Sequence, residues 1–472
     1  MAGRLLGATA VALFLGFISG AGAADRPLKA PRVIAAYDWT GFYLGANAGY
    51  GTTADPVDHA FTPASDGGYQ FAIAPQGWFA GGQLGYNWQT GSLVLGVEAD
   101  AQGGSASQSI CYDFCGVLTY ELSQKQSWYA TARGRVGWAF GPVLLYGTGG
   151  AAFTTFKTTI TEINGQTVIG EFRDMRAGWT VGGGAEAALS GPWTAKVEYL
   201  YMDFGTISHS IPDAFLGPDF PNLYSIGLRE HVVRAGLNYR FGAPDAPLAS
   251  AAESFASAGS VGGWTGFYVG GNLGYARQRS PYEESNSYRG MVNQFVFVPG
   301  SVAGGVQAGG TWQFDRVALG VEADYQAMRQ EQSDCGGWCL PTQSIDISEK
   351  STWFATVRGR AGVVSGPAWY YVTGGVAFTK VNTDYRSFDG VIFAQGSFGD
   401  ARTGWTVGGG IEAMLSPNWS AKAEYLYMDF GTISHTMYFN DPFGAGLASN
   451  SFSIDVREHV FRFGVNYHLG SI

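Results

Sequence analysis

The chain is short of charge. Asp, Glu, Lys and Arg make up only 14% of its 472 residues, against about a quarter in ordinary soluble domains. Basic residues are the scarcer kind, 28 against 38 acidic ones, for a net charge of −10. A phosphate backbone is held by a basic surface, so nucleic acid is excluded as a partner. No segment approaches the roughly eighteen uninterrupted apolar residues of a membrane-crossing helix. Cysteine is limited to two close pairs, Cys111/Cys115 and Cys335/Cys339. Each pair offers two thiolates and no neighbouring His, which speaks against a metal site and for two small disulfide-closed loops in an exported chain.

Glycine and aromatics are plentiful. There are 71 glycines, about twice the usual share, with none of the three-residue period of collagen. Aromatic residues reach 15%, which disordered chains do not carry. Together these point to an all-β architecture.

Arg4, the apolar stretch Leu5–Ile18 and the small residues Ala21-Gly-Ala-Ala24 form a secretory signal peptide pattern. The expected organisation is a signal peptide over 1–24, a periplasmic leader over 25–36, a first barrel over 37–242, a linker over 243–262 and a second barrel over 263–472. The linker is rich in Ala, Pro and Ser, as flexible connections are.

The sequence is a duplication. Trp39-Thr-Gly-Phe-Tyr-Leu-Gly-Ala-Asn-Ala-Gly-Tyr50 returns as Trp264-Thr-Gly-Phe-Tyr-Val-Gly-Gly-Asn-Leu-Gly-Tyr275, and Glu198–His209 returns unchanged as Glu424–His435. A period of this length means two domains, not a solenoid.

In each copy, short turns alternate with long loops. In the first, tight connections at Gln89-Thr-Gly-Ser92, Phe140-Gly-Pro142 and Ser190-Gly-Pro192 join eight strands expected near 40–50, 78–88, 93–102, 126–139, 143–153, 175–189, 193–204 and 230–241. This is the pattern of an antiparallel up-and-down barrel in an outer membrane, with both ends in the periplasm. Phe42, Leu44, Ala46, Ala48 and Tyr50 share one face of the first strand, while Tyr43, Gly45, Asn47 and Gly49 share the other. Strand five, around Tyr146-Gly-Thr-Gly-Gly150, gives no clear facing. The alternative is one sixteen-stranded barrel with an aqueous channel. A linker longer than periplasmic turns, and charges repeated as a complete set, favour two eight-stranded barrels.

Period two turns a set of charges inward. In the first copy these are Glu98, Asp100, Arg133, Arg135, Glu186, Lys196, Glu198 and Arg234. In the second they are Glu322, Asp324, Arg358, Arg360, Glu412, Lys422, Glu424 and Arg462. Side chains fill the lumen of an eight-stranded barrel, so a neutral set of four acids and four bases reads as a plug. A pore lining usually carries an excess of one sign.

The Gly182-Gly-Gly184 and Gly408-Gly-Gly410 runs lack the Gly-Lys-Ser/Thr of a phosphate loop and fall inside strands, where Gly permits close packing. His209 and His435 recur near the fourth external loop and are the candidate ligand contacts, for haem or a divalent metal. Asp203 and Asp429 stand six residues before them, yet no serine elbow or H-E-x-x-H accompanies the pair. No catalytic residues, no resident metal and no cofactor are assigned.

These motifs, with Gly178-Trp-Thr-Val-Gly-Gly-Gly184, Ala195-Lys-Val-Glu-Tyr-Leu-Tyr-Met-Asp-Phe-Gly205 and the closing Arg234-Ala-Gly-Leu-Asn-Tyr-Arg-Phe241, resemble the small outer-membrane β-barrel family of alphaproteobacteria. That family, often labelled porin family, includes major surface antigens and haemin-binding proteins and is related in architecture to the OmpA-type barrel. The resemblance implies a non-enzymatic barrel in the cell outer membrane. Its partners would be outer-membrane lipid and lipopolysaccharide, the barrel-insertion machinery, and a host or haem ligand at the external loops. Two departures stand out. The family usually carries one barrel, and its chains usually end on an aromatic. The first copy has Phe241 there, whereas the second continues Asn466-Tyr-His-Leu-Gly-Ser-Ile472, a weaker insertion signal.

Overall fold

The computed structural model describes residues 37–60, 68–112, 120–162, 167–213, 217–242, 263–286, 291–335, 344–388, 393–440 and 447–469. The described residues are β throughout. In the first copy the strands are β1 (Gly41–Thr53), β2 (Asp55–Ala60), β3 (Gly68–Ile73), β4 (Gln76–Thr90), β5 (Leu93–Tyr112), β6 (Tyr120–Phe140), β7 (Val143–Glu162), β8 (Thr167–Ser190), β9 (Trp193–Asp213) and β10 (Gly217–Arg240). In the second they are β11 (Gly266–Asn286), β12 (Met291–Phe297), β13 (Gly300–Phe314), β14 (Val317–Cys335), β15 (Ser344–Ser365), β16 (Ala368–Phe388), β17 (Phe393–Ser416), β18 (Trp419–Asn440) and β19 (Leu447–His468).

Strand pairing closes each copy on itself. β1 pairs antiparallel with β4 on one side and with β10 on the other. β11 pairs likewise with β13 and β19. The result is two eight-stranded rings, and the sixteen-stranded alternative is overturned by these two closing seams. The short strands β2, β3 and β12 are extensions of the first external connection in each ring, β2 lying on β10 and β12 on β11.

The tight ends are built from chain-reversing residues. Gly91, Gly141 and Gly191 take φ of 62°, 59° and 54°, a left-handed conformation that costs glycine nothing. In the second ring, Asp315 holds the place of Gly91 with φ 53°, as a short polar side chain can. At the other ends the strands run well past the expected limits. β5 ends at Tyr112 rather than Gln102, and β9 at Asp213 rather than Phe204.

The outer surface is apolar. Phe42 is 63% and Leu44 54% exposed, whereas the alternate residues Tyr43 and Asn47 are buried. Aromatic rings gather at two levels. Phe42, Tyr86 and Trp88 touch near the tight turns. Tyr50 meets Trp78, and Trp179 meets Tyr201, farther along. The second ring repeats the outer level with Tyr325 on Trp353 and Trp405 on Tyr427.

Candidate functional site

All sixteen inward charges are buried inside the rings, eight in each. The geometry follows from strand register. Glu98 of β5 lies directly opposite Arg133 of β6, and Glu198 of β9 opposite Arg234 of β10. In the first ring, Arg133 reaches Glu98, Asp100 at 2.9 Å and Glu198 at 3.0 Å. Arg135 pairs with Glu186 at 2.7 Å. Lys196 donates to Glu98 at 2.9 Å, and Arg234 bridges Glu198 and Asp100 at 2.6 and 3.0 Å. The second ring repeats the network. Arg358 joins Glu322, Asp324 and Glu424, Arg360 meets Glu412, Lys422 meets Glu322, and Arg462 bridges Asp324 and Glu424. Each of these sixteen charges thus has an opposite charge as a hydrogen-bonded partner, the condition under which burial is tolerated.

Tyrosines complete the network, and they stand outside the set of residues that the sequence pattern singles out. The Tyr43 hydroxyl donates to Glu98 and accepts from Arg135, both at 2.8 Å. The Tyr146 hydroxyl donates to Glu198 at 2.9 Å, with the Arg135 guanidinium 4.0 Å above its ring. Tyr268 and Tyr371 do the same for Glu322 and Glu424. Tyr43 is visible on the inward face. Tyr146 lies in the strand whose glycines hide its facing. Glycines make the room: a Cβ at Gly85 would lie 2.3 Å from the Tyr43 hydroxyl, and one at Gly184 2.8 Å from that of Tyr146. This is a packing role for the Gly runs.

The lumen is filled in layers. Toward the tight turns, Trp39 packs with Val94, Ala139, Leu144 and Tyr146, and Trp264 with Ala318, Trp369 and Tyr371. The charges come next. Beyond them in the first ring lie Phe79, Tyr129, Phe156, Leu200 and Met202, all buried.

His209 and His435 stand apart from these networks. His209 Nε2 meets Asp174 Oδ2 at 2.9 Å and stacks on Phe172 at 3.8 Å. His435 meets Asp400 at 2.8 Å and stacks on Phe398 at 4.0 Å. The aspartate partner therefore comes from the neighbouring strand, not from Asp203 or Asp429. Those residues instead cap the backbone N–H groups of Gly205 and Gly431. Cys111 and Cys335 sit near the outer ends of β5 and β14, while Cys115 and Cys339 lie outside the described residues.

Beyond the outer aromatic level, a few carboxyls are buried without a basic partner among the described residues. Glu349, four residues before Trp353 and so farther out on β15, accepts from Gln278 and from Ser280 at 3.2 Å. Burial pushes its carboxyl up to about 8. Asp334, held by Gln332 at 2.7 Å, is pushed up to about 7 by burial.

An up-and-down antiparallel ring with an apolar exterior, two aromatic girdles and a charged interior is an integral outer-membrane β-barrel. Comparison with known proteins then supplies the family. The outer membrane protein β-barrel domain matches twice, over residues 10–241 and 246–468, and the chain belongs to that family. It is 34% identical over 242 residues to the 31 kDa outer-membrane immunogenic protein of Brucella melitensis, covering 48% of this chain and 95% of that protein. It is 31% identical over 205 residues to the 22 kDa outer membrane protein of Rhizobium leguminosarum bv. viciae, covering 43% and 78% respectively. Among solved structures it is similar to Ail, the attachment invasion locus protein of Yersinia pestis, at 15% identity and a TM-score of 0.21, over 43% of this chain and 98% of Ail. The protein resides in the outer membrane.

Proposed function

We propose that this is a structural and surface-interaction protein of the outer membrane, its two barrels closed by their own side chains and its external strands and loops turned to the outside. The observation that carries the reading is the charge network, in which four acids and four bases per ring are buried and mutually paired. Tryptophan packs below the charges in each ring, and apolar side chains pack above them in the first. The paired charges carry no excess of either sign, as an ion-selective pore would require.

The wider assignments belong to the same reading. A signal peptide over 1–24 directs export, a leader over 25–36 and a linker over 243–262 lie in the periplasm, and barrels occupy 37–242 and 263–472. Cys111–Cys115 and Cys335–Cys339 form disulfides in the second external loop of each barrel. The protein is not an enzyme. Its partners are outer-membrane lipid, lipopolysaccharide, the insertion machinery and a host ligand at the loops. The immunogenic character named for the Brucella relatives supports a surface-exposed role. Haem ligation through His209 or His435 is less favoured, because an aspartate engages Nε2 of each ring.

Single-channel recording tests the central claim. The mature chain, refolded into planar bilayers and shown to be inserted, should be silent or give only small flickering events. Large uniform steps would overturn the closed-barrel reading.

A further inference from the structure

The two barrels meet along faces related by the duplication. The Tyr199 hydroxyl shares a hydrogen bond with His231 Nδ1 at 2.6 Å, and Tyr425 does so with His459 Nδ1 at 2.8 Å. Tyr275 of the second barrel stacks on His231 of the first, centroids 5.2 Å apart, and Tyr50 of the first stacks on His459 of the second at 6.2 Å. Residue i meets j while the copy of j meets the copy of i, which is the signature of a two-fold contact. A crevice between the barrels is lined by these four tyrosines and two histidines.

Among the residues that break the symmetry are two arginines. Where the first barrel has Thr52 and Ala54, the second has Arg277 and Arg279. Arg277 lines the crevice and crosses to the first barrel, donating to the carbonyl of Thr52 at 3.0 Å and to that of Thr53. The two arginines are only 4% and 8% exposed. Among the described residues neither guanidinium has a carboxylate at ion-pair distance; Asp429 and Asp455 both go to Arg457, at 3.6 and 3.3 Å. Arg279 lies directly opposite Arg457 across the β11–β19 seam, where like charges repel. Its buried Nε has no hydrogen-bond partner among the described residues. Asp55, whose charge reaches Arg277, accepts instead from the Arg229 backbone N–H at 2.9 Å. Burial pushes the Asp55 carboxyl up to about 7, so it is only partly ionised at neutral pH.

The height of this cluster narrows what could neutralise it. Tyr50 and Tyr275 belong to the outer aromatic girdle, which sits at headgroup level. Arg277 and Arg279 stand two and four residues beyond Tyr275, roughly 5–10 Å farther out on a tilted strand. Guanidinium groups match phosphate oxygens in pairs. We propose that Arg277, which lines the inter-barrel crevice, and Arg279, two residues farther out on the same strand, form a phosphate site occupied by the phosphorylated headgroup of an outer-leaflet glycolipid. The proposal rests on the outer-membrane location and not on the closed-barrel reading.

Native mass spectrometry of the full chain in mild detergent tests it, with diphosphoryl lipid A, dephosphorylated lipid A and inorganic phosphate as probes. One diphosphoryl lipid A should be retained per chain. Affinity should fall about tenfold or more in R277T/R279A, which restores the residue types of the first barrel, and equally for dephosphorylated lipid A, as expected when a charge-assisted bidentate contact is lost. R329A, which removes an exposed arginine outside the crevice, should bind as the parent does. Heat-shifted gel mobility reports whether each variant is folded. If the double variant is not, R279Q, which keeps the bonds of Arg277 to Thr52 and Thr53, replaces it with a smaller loss in the same direction. Equal retention by folded variants, or indifference to dephosphorylation, overturns the site. Displacement of the lipid by millimolar inorganic phosphate would assign the arginines to free phosphate and overturn the lipid assignment.

Discussion

Arg133 of β6 and Glu198 of β9 meet at 3.0 Å although their strands are not neighbours in the ring. The contact crosses the lumen, so the interior is tied through its middle and not merely lined. Glu198 also holds Arg234 at 2.6 Å and the Tyr146 hydroxyl at 2.9 Å.

Removing that carboxylate takes one partner from Arg133 and one from Arg234 and leaves the dry interior with a positive charge in excess. E198A should therefore destabilise the first barrel by about 3–5 kcal/mol, and E424A the second by a similar amount. Urea unfolding in detergent, followed by tryptophan fluorescence and gel mobility, would check this. Unchanged midpoints would mean the network contributes little to the closed state.

Gly85 faces the Tyr43 hydroxyl so closely that a methyl group would lie 2.3 Å from it. G85A should cost about 1–3 kcal/mol, as overpacking does. Gly103, where a methyl group would meet open space, should accept Ala at little cost. Parallel unfolding of the two variants reads the difference directly.

Burial pushes the Glu349 carboxyl up to about 8, against about 4.3 for an unfolded glutamate. The folded state holds the proton more tightly, so this group's contribution is full below the unfolded value and is lost as pH rises toward about 8. E349Q, which keeps an acceptor for Gln278 and Ser280, should remove this dependence. The variant should lose less stability than the parent between pH 5 and pH 9, on the order of the shift itself. Parallel pH–stability curves for the two proteins would sink the idea.

Non-reducing peptide mapping of the extracted protein should find each cysteine linked within its own C-x3-C loop, with no Cys111–Cys335 crosslink. Free thiols that react with maleimide before reduction would contradict the proposed pairing.

Much of the barrel is legible in the residues alone. The tight ends are visible because Thr-Gly and Gly-Pro punctuate the chain at Gly91, Gly141 and Gly191. The inward charges are visible because lipid demands an unbroken apolar alternate face, leaving Glu98 or Arg133 only one side to occupy. Beyond the outer aromatics that demand lapses, and the far halves of β5 and β9 carry no such signal. Tyr146 escapes because flanking glycines offer no contrast between faces. The partner of His209 escapes for another reason: Asp174 is brought to it by cross-strand register, which sequence spacing does not encode. The meeting of His231 with Tyr275 is hidden more deeply, since it depends on which exterior face of one barrel lies against the other.

The crossing of Arg277 onto Thr52 has an evolutionary corollary. In an assembly of two identical chains, every substitution at the contact appears twice, so an arginine gained at this position would have confronted its own double. Fusion of the copies in one reading frame lifts that constraint. One side has a small hydroxyl residue as the receptacle while the other carries a long cation, and each half of the contact is free to specialise.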